Sequence, residues 1–369
     1  MDISDVSGLA LAAFNITGET VSRLYTINLA TGRATLAGQI GPTGTETVRA
    51  ISVAPTGENI LAATADNRLL LFNATAPNTI LASKQITGIR TGDILLGVDF
   101  RPATGQLMAV GSLGTIYSIN PTSGVATVVG SPVATPTGVS FGVDFNPAPD
   151  RIRFVSNTGQ DLRLNPNDAT IAGTDTPLAF AAADPNAGAQ PNIVGAAYTS
   201  NVAGTPATGT TLYEIDSTID SLVIQGSVNA TPVNPNAGTV FTLAPLGVKV
   251  TNNVSFDISG VSGIAYAAMT LEGETSTKFF RIALPTVAQT TAVATMVGTG
   301  VIGDGTANVT AISTVPQVEN LFGLTMDNRL VRFNPRLPAT LIGAPVAITG
   351  LQTGENLVGI DYRPVSGVL

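Results

Sequence analysis

Short apolar runs alternate along the chain with turns rich in Gly, Pro, Asn and Thr. The pattern is clearest in four runs, at 95–100, 106–111, 115–120 and 126–130, which are separated by connectors of hairpin length. Within a run the apolar and polar positions alternate, as in Ile116-Tyr117-Ser118-Ile119, which is typical of a strand. No window has a convincing helical period. The pattern therefore predicts units of four antiparallel strands.

The first run of each unit carries a recurring marker: a small residue, an apolar residue, and then Asp, Ser or Ala. The third marker positions are 2, 52, 99, 144, 197, 257, 313 and 361, so the units are about 45 to 60 residues apart. Their order is Asp, Ser, Asp, Asp, Ala, followed again by Asp, Ser, Asp. This restart indicates a block of five units that was duplicated and then shortened.

Longer segments repeat with an offset that grows along the chain from 255 to 262 residues. Residues 327–334 restate residues 66–73, and residues 359–364 restate residues 97–102. Seven complete sets of second to fourth strands predict an all-β fold, a β-propeller of four-stranded antiparallel blades, with seven blades in a single domain. The predicted blades are 1–46, 47–93, 94–138, 139–190, 191–249, 250–306 and 307–356, with a closing strand at 357–369.

The closing strand is an eighth first strand that follows the seventh blade. A propeller must pair its last blade with its first, because an unpaired strand edge invites other chains. Two interpretations remain open: this strand closes its own ring, which we favour, or it fills the same place in another chain and builds a head-to-tail polymer. The residues concerned are Leu357, Val358, Gly359, Ile360, Asp361 and Tyr362.

Composition restricts the possible partners. The chain has 44% hydrophobic and 11% charged residues, no Cys, His or Trp, and a net charge of −8. This charge argues against nucleic acids and anionic membranes as partners, and no apolar run is long enough to span a bilayer. An acidic surface poor in Lys is typical of secreted bacterial proteins, so we expect an extracellular or cell-surface location.

Two strand motifs resemble those of a known family. They are Leu-Tyr-x-Ile-(Asn/Asp), at 24–28 and 212–216, and Gly-(Val/Ile)-Asp-(Phe/Tyr)-x-Pro, at 97–102 and 359–364. They resemble a bacterial propeller family that is catalogued as a domain of unknown function and found mostly in predicted secreted proteins. The resemblance covers nearly the whole chain, about one and a half copies. It implies a propeller fold and export, and it supplies no catalytic residues.

The Asp series of the marker is the principal candidate site. If the first strands line a central channel, Asp99, Asp144, Asp257 and Asp361 could converge on a hard cation such as calcium, which takes 6–8 oxygen ligands. Alternatively, each Asp accepts backbone N–H groups of its own or the next blade, as buried polar groups must. We favour the second interpretation, because alternation with Ser and Ala suits a hydrogen-bonding role.

Catalysis has little support in the sequence. Without His or Cys the usual Ser-His-Asp and Cys-His arrangements are impossible, and equivalent carboxylates such as Asp99 and Asp144 do not form a distinct acid and base. We therefore predict a non-enzymatic module that binds an extracellular protein or glycan, or that self-assembles. The alternative is a metal-assisted enzyme acting on polysaccharide with the channel carboxylates. A channel lined evenly by small residues would exclude it.

Arginines and long loops are weaker candidates. Arg101, Arg151, Arg153 and Arg363 could bind acidic groups, but we expect them to pair with carboxylates at blade edges. Three loops rich in Pro, Ala, Asn and Gly surround the fifth unit, where they form either a binding surface or solvated connectors. They span 181–192, 201–209 and 229–239.

Overall fold

The computed structural model describes most of the chain as two compact units. Unit 1 comprises Met1–Gly57 and Gln317–Leu369, and unit 2 comprises Glu58–Pro316. The described residues are 1–3, 10–16, 21–29, 31–42, 47–53, 57–131, 135–206, 209–316, 321–334, 337–341, 343–352 and 354–361.

The fold is all-β, as predicted. The strands in chain order are β1 (Asp2–Ile3), β2 (Ala10–Asn15), β3 (Ser22–Ile27), β4 (Ala34–Gln39), β5 (Val48–Val53), β6 (Asn59–Thr64), β7 (Arg68–Asn73), β8 (Ala76–Gln85), β9 (Leu95–Phe100), β10 (Leu107–Gly111), β11 (Ile116–Ile119), β12 (Ala126–Val129), β13 (Phe141–Asn146), β14 (Arg151–Ser156), β15 (Asp161–Leu164), β16 (Ile171–Thr174), β17 (Ala179–Phe180), β18 (Ile193–Tyr198), β19 (Leu212–Asp216), β20 (Ser221–Gln225), β21 (Thr239–Pro245), β22 (Val250–Ile258), β23 (Ala265–Leu271), β24 (Thr277–Ile282), β25 (Ala294–Val301), β26 (Val309–Thr314), β27 (Leu321–Thr325), β28 (Arg329–Asn334), β29 (Leu337–Leu341) and β30 (Val346–Ala347). Two 3-10 turns, Val228–Ala230 and Pro235–Ala237, precede β21. In the described part of the chain, no helix has the length and apolarity that crossing a membrane requires.

Unit 2 contains five sheets built on four antiparallel strands. Sheet I has the order β26-β6-β7-β8, sheet II is β9–β12, sheet III is β13–β16, sheet IV is β18–β21, and sheet V is β22–β25. The short strand β17 is added to sheet IV, parallel to β21.

The predicted strand runs are confirmed most directly in sheet II. Its strands β9 to β12 coincide with the four predicted runs to within one residue at either end. The turn before β12 ends at Gly124, which has a φ of +78° and donates its N–H to the carbonyl of Asn120 at 2.8 Å. Such a left-handed residue favours glycine, so the local sequence determines where this hairpin turns.

The inner strands of the five sheets form a closed cycle of contacts. β26 contacts β9, β9 contacts β13, β13 contacts β18, β18 contacts β22, and β22 contacts β26 again. Gly97 and Gly142 allow this approach: a Cβ on Gly97 would lie 2.4 Å from Cβ of Val143, and one on Gly142 would lie 2.6 Å from Cβ of Ala196. The cycle closes after five sheets, the length of the repeated block. The β-propeller and its seven blades stay predictions, because contacts among the inner strands of unit 2 do not test the number of blades in the whole chain.

Two predicted blades differ from the observed pairing. The sequence assigned β5 to β6–β8 (blade 47–93) and β26 to β27–β29 (blade 307–356). Instead, β26 pairs with β6, with Ile312 opposite Ala62, and β5 pairs with β27, with Ile51 opposite Gly323. The physical reason is the duplication. The inner strands β5 and β26 have the sequences Val-Arg-Ala-Ile-Ser and Val-Thr-Ala-Ile-Ser, so each of them suits both β6 and β27 as a pairing partner. β26 belongs to the same compact unit as β6.

Unit 1 contains two sheets. Sheet VI is β1–β4, and sheet VII has the order β5-β27-β28-β29, with β30 also paired to β28. Their buried side chains form one core, which includes Leu11 and Leu24 of sheet VI and Ile51, Val331 and Phe333 of sheet VII.

The predicted closing strand does not form a strand where the structure describes it. Residues 357–361 have no strand assignment, and Tyr362 and the residues after it lie outside the described residues. Leu357 accepts a hydrogen bond from Arg49 through its carbonyl, and its N–H donates to Oδ1 of Asn328 at 3.1 Å. The segment therefore lies beside the inner strand β5 of its own unit, where side-chain hydrogen bonds replace the expected strand pairing.

Candidate functional site: the inner-strand carboxylates

Three of the predicted site residues come together in unit 2. Asp99 of β9, Asp144 of β13 and Asp257 of β22 each offer a carboxylate oxygen, and these oxygens lie within 4.8 Å of one another. All three side chains are buried. The fourth predicted residue, Asp361, belongs to unit 1 and is not part of this group.

Each carboxylate accepts a backbone N–H from the next inner strand of the cycle. The N–H of Phe145 donates to Oδ2 of Asp99 at 2.9 Å, and the N–H of Tyr198 donates to Oδ2 of Asp144 at 2.8 Å. The N–H of Thr314 likewise donates to Oδ2 of Asp257. In each case the donor directly follows the third marker residue of the next unit, at 144, 197 and 313. The hydrogen-bonding interpretation of the Asp series is therefore confirmed.

The Ser and Ala residues at the third marker position fit the same pattern of hydrogen bonds between neighbouring inner strands. Ser313 Oγ accepts the N–H of Phe100 at 3.2 Å and donates to Oδ1 of Asp99 at 2.8 Å. Ala197 has no acceptor to offer the next strand, and there Asp257 accepts the N–H of Ile258 with its own Oδ1 at 2.7 Å. Since a buried N–H must find an acceptor, one marker position supplies acceptors around the whole cycle.

Burial raises the pKa values of all three carboxyl groups. Burial, together with the nearby charge of Asp257, raises the pKa of Asp99 to about 7. Burial and the charges of Asp99 and Asp257 raise the pKa of Asp144 well above its usual range. The pKa of Asp257 is also raised by burial, although backbone N–H groups oppose the shift. Because the three carboxyl groups lie so close together, ionisation of one opposes ionisation of the others.

Two small voids lie near the cluster. The central void between the inner strands has a volume of about 10 Å³, room for about one water molecule. Small and apolar residues line it, including Gly97, Val143, Gly195 and Phe256. The void that Asp99 borders has no room for water. Neither of these two voids has room for a substrate beside the carboxylates, each of which accepts a backbone N–H.

The donor set also fits calcium poorly. Calcium takes 6–8 oxygens at 2.3–2.6 Å, whereas three carboxylates converge here and both oxygens of Asp99 and of Asp257 already accept hydrogen bonds. Binding of calcium stays a prediction. Because the pKa values of the three groups are raised, calcium binding would be coupled to loss of protons from them. A calcium titration by calorimetry at two pH values tests this prediction.

Two of the predicted arginines, Arg101 and Arg153, are paired with carboxylates, as expected. Arg101 binds Asp150 with two nitrogens and donates to Oδ1 of Asn167 at 2.8 Å. Arg153 is almost fully buried and contacts Asp161 as well as Asp175, with 2.8 Å between Nη1 of Arg153 and Oδ2 of Asp175. The Arg101–Asp150 pair joins sheets II and III, whereas the carboxylates that Arg153 contacts belong to its own sheet III.

The other two predicted arginines give no such pair. Arg151 donates to the backbone carbonyls of Pro149 and Asp150. Arg363 lies outside the described residues.

Sequence reasoning missed Glu214, the variable position of the Leu-Tyr-x-Ile-Asp motif on β19. Its side chain is fully buried, and neither carboxylate oxygen has a hydrogen-bond partner. Burial raises its pKa well above the usual range, the charge of Asp161 adds to the shift, and Arg153 opposes it. Every residue of β19 is buried in the structure, and the alternation of apolar and polar residues in the sequence offered no sign that this polar position would be covered.

A family comparison agrees with the limits of unit 2. The model of a family described as "Domain of unknown function (DUF4394)" matches residues 68–312, about two thirds of the chain. The chain belongs to this family. Because the matched residues fall within Glu58–Pro316, the domain that defines the DUF4394 family lies within the five-sheet cycle.

Two further comparisons add no function to the DUF4394 family assignment. No curated protein matches the chain. Among solved structures, the chain is similar to one named "Crystal Structure of Mitotic Checkpoint Complex", with 12% identity, coverage of 90% of this chain and 85% of that chain, and a TM-score of 0.33. A score of that size carries no argument about this protein.

Outside the DUF4394 match, unit 1 repeats part of the same hydrogen-bond series. Ser52 Oγ lies 3.2 Å from Oδ2 of Asp2 and 3.2 Å from Oδ1 of Asp361. These three residues are the copies of Asp257, Ser313 and Asp99 in the duplicated block. Unit 1 therefore places three consecutive members of the series side by side, as unit 2 does within its cycle.

One cleft of unit 2 involves none of the predicted site residues. It has a volume of about 740 Å³ and lies beside the turn Asp66-Asn67-Arg68, with Asp304 and Asn308 on the other wall and Leu70 and Ile302 among its apolar lining residues. The loop at 181–192, in contrast, is anchored to β21, because Asp184 accepts the N–H of Thr242 at 2.7 Å. This anchoring favours a connector over a binding surface.

Proposed function

We propose that the protein is a non-enzymatic, exported assembly module whose copies connect by exchanging inner strands. One observation carries the proposal: sheet I takes its inner strand, β26, from a segment some 250 residues distant, although β5 directly precedes β6 and has nearly the same sequence. A sheet that accepts a remote strand in its own chain offers the same edge to β26 of another copy.

Strand exchange of this kind requires equivalent inner strands. Both β5 and β26 carry the Ala-Ile-Ser marker, at 50–52 and 311–313. Their isoleucines face equivalent positions, Gly323 for Ile51 and Ala62 for Ile312. Exchange between copies therefore creates no new type of contact, and the ring retains its pairing while the connection passes to another chain.

The chemistry of the candidate site supports a non-enzymatic role. The inner carboxylates satisfy backbone N–H groups and border voids that admit at most about one water molecule. Composition supports the rest of the proposal: a net charge of −8 with few Lys disfavours nucleic acid as a partner, and it suits an extracellular or cell-surface protein. The external ligand, if the module binds one, is a protein or a glycan.

The absence of Cys from the sequence allows a direct test. Two single variants, Ala62→Cys and Ile312→Cys, place one thiol on each side of the β26–β6 pair. The variants are mixed, partly unfolded in urea, refolded together and oxidised, and the products are separated on a non-reducing gel. Exchange between copies predicts a disulfide-linked heterodimer, because the opposed positions now lie on different chains.

A matched control separates specific pairing from random collision. Ser123→Cys is exposed on a turn of sheet II, and its mixture with Ile312→Cys should give no cross-link above background. The double variant Ala62→Cys/Ile312→Cys should give a cross-linked monomer, which shows that the thiols can meet. Cross-linked monomer together with no heterodimer from the mixed single variants would refute exchange between copies.

A further inference from the structure

Backbone hydrogen bonds fix both walls of the 740 Å³ cleft of unit 2, which we call the sheet I cleft. One wall belongs to sheet I, and the other is the segment 302–308 that precedes β26. The N–H of Ala65 donates to the carbonyl of Asn308 at 2.9 Å. The N–H of Gly303 donates to the carbonyl of Pro77, also at 2.9 Å. The cleft is therefore preformed, and its volume lies in the range of about 300–1,000 Å³ that is usual for small-ligand sites.

The turn at the edge of this cleft occurs twice in the chain, with different side-chain contacts. In unit 1 the turn pairs its own charges, because Nε of Arg329 donates to Oδ2 of Asp327 at 2.7 Å. In unit 2, Nε of Arg68 donates to Oγ of Ser83 on β8 at 3.1 Å, and Nη2 donates to the same oxygen. Among the residues that the structure describes, Arg68 forms no ion pair with Asp66. The two charges of this turn therefore lie separately on the rim of the cleft.

The sequence of β8 accounts for this difference. Ser83 lies opposite Leu70 of β7, and its hydroxyl can accept a guanidinium N–H. The residue at the corresponding position of unit 1 is Pro345, whose side chain has no acceptor. Asn78 of β8 likewise corresponds to Ala339. The copy in unit 1 thus lacks both of the polar side chains that β8 contributes to the cleft in unit 2.

The rim of the sheet I cleft offers both acceptors and donors to a ligand. Asp66 and Asp304 each accept a threonine hydroxyl with Oδ1, which orients the carboxylates. Within the described part of the chain, Oδ2 of either carboxylate and Nη1 of Arg68 have no hydrogen-bond partner. Asn78 is exposed, and its side-chain amide both donates and accepts. A ligand in the cleft therefore meets carboxylate, guanidinium and amide groups that can all bond to it.

The floor and the charge of the cleft restrict the class of ligand. The floor is apolar and includes Leu70, Ile80 and Ile302. None of the described residues that line the cleft is aromatic, so it offers no ring for stacking with an aromatic ligand. Two carboxylates and one guanidinium give the rim a net negative charge, which disfavours a polyanion. This lining suits an uncharged ligand with many hydroxyl groups, since each hydroxyl both donates and accepts.

The wall from sheet I presents side chains to the cleft and no free edge of β7. Arg68 and Leu70 lie two residues apart on β7, so they point to the same face of the sheet. β7 pairs with β6 on one side and with β8 on the other. A peptide that binds by strand addition requires an unpaired edge, which β7 does not offer. Recognition by side chains alone favours a sugar over a peptide.

We propose that the sheet I cleft binds a neutral oligosaccharide. Asp66, Arg68 and Asn78 form hydrogen bonds with its hydroxyl groups, and the C–H face of a sugar ring packs on Leu70 and Ile80. This inference adds a ligand class to the non-enzymatic role proposed above, and it does not depend on strand exchange.

The experiment is isothermal titration calorimetry of the full chain with four neutral tetrasaccharides: cellotetraose, maltotetraose, mannotetraose and chitotetraose. The wild type should bind at least one of them. Arg68→Ala and Asn78→Ala each remove hydrogen bonds to the ligand and should weaken its binding by about tenfold or more. Both side chains are exposed, so far-UV circular dichroism should show the native fold in both variants.

The matched control is Arg329→Ala, which changes the same turn in unit 1 and should leave the affinity unchanged. Tetragalacturonate and tetraalanine, a polyanion and a peptide, should bind more weakly than the best tetrasaccharide. The proposal is overturned if no tetrasaccharide binds at millimolar concentration, if both cleft variants bind as tightly as the wild type, or if tetragalacturonate or tetraalanine binds more tightly. Strand exchange is judged separately by the heterodimer of Ala62→Cys and Ile312→Cys, so each proposal can fail without the other.

Discussion

Units 1 and 2 begin from the same repeated sequence and reach different degrees of closure. In unit 2, Asp257, Ser313 and Asp99 belong to a cycle of five inner strands with buried hydrogen bonds. In unit 1 the copies are Asp2, Ser52 and Asp361, of which Ser52 is buried and Asp361 is exposed. A repeated sequence therefore specifies which residues can accept these hydrogen bonds, whereas the neighbouring sheets determine which copies are buried.

The largest predicted effect contrasts a buried and an exposed ion pair. Arg153→Ala removes the partner of Asp161 and Asp175 inside unit 2, and breaking a buried pair costs about 3–5 kcal/mol. Arg329→Ala removes an exposed pair with Asp327 in unit 1, which is worth about 0–1 kcal/mol. Urea unfolding followed by far-UV circular dichroism measures both. Equal losses would show that burial does not distinguish the two units in this way.

A second contrast concerns the same repeat position in sheets V and VI. Met269→Ala leaves a cavity in the core of sheets IV and V and should lower the free energy of unfolding of unit 2 by about 2–5 kcal/mol. Phe14→Ala acts on a half-exposed ring and should cost unit 1 clearly less. Hydrogen exchange read by mass spectrometry assigns each loss to its unit, which matters because the chain has no Trp to report unfolding by fluorescence.

Replacement of Glu214 should raise the free energy of unfolding, whereas the replacements above lower it. Because its folded-state pKa is raised, the folded protein binds a proton that the unfolded chain releases, and stability falls as pH rises through that pKa. Glu214→Gln removes the ionisation and should raise the free energy of unfolding at pH 8 by about 1–3 kcal/mol relative to the wild type. Glu272→Gln, at an exposed site, serves as the control and should change it little.

The smallest expected effect is a change in how the free energy of unfolding depends on pH. With a raised pKa of about 7, Asp99 contributes stability that is present at low pH and is lost as pH rises through 7. Asp99→Asn should flatten this decline between pH 5 and 8, measured by urea unfolding at each pH. Asp361→Asn, in the exposed copy, should leave the profile unchanged. A profile that Asp99→Asn does not alter would exclude Asp99 as a source of the decline.

Much of the local structure could be predicted from the sequence. The alternation and turn residues predicted the strands of sheet II, and the marker predicted which residues of β9, β13 and β22 carry acceptors. The sequence could not reveal that β26 pairs with β6, because β5 carries almost the same residues and lies nearer in the chain. It also could not reveal Glu214, whose burial arises only when sheet IV lies between its neighbours.

Short-range periodicity and residues with special backbone preferences are enough to specify the strands, the turns and the five-unit order of Asp, Ser and Ala. The place where the cycle closes, and which of two duplicated faces is buried, depend on contacts between distant parts of the chain. Two strands of nearly equal sequence have nearly equal affinity for the same edge, so the choice between them rests on long-range geometry. In unit 2 that geometry completes a cycle of five inner strands, and in unit 1 it leaves Ile3, Phe14 and Leu36 of sheet VI exposed to water.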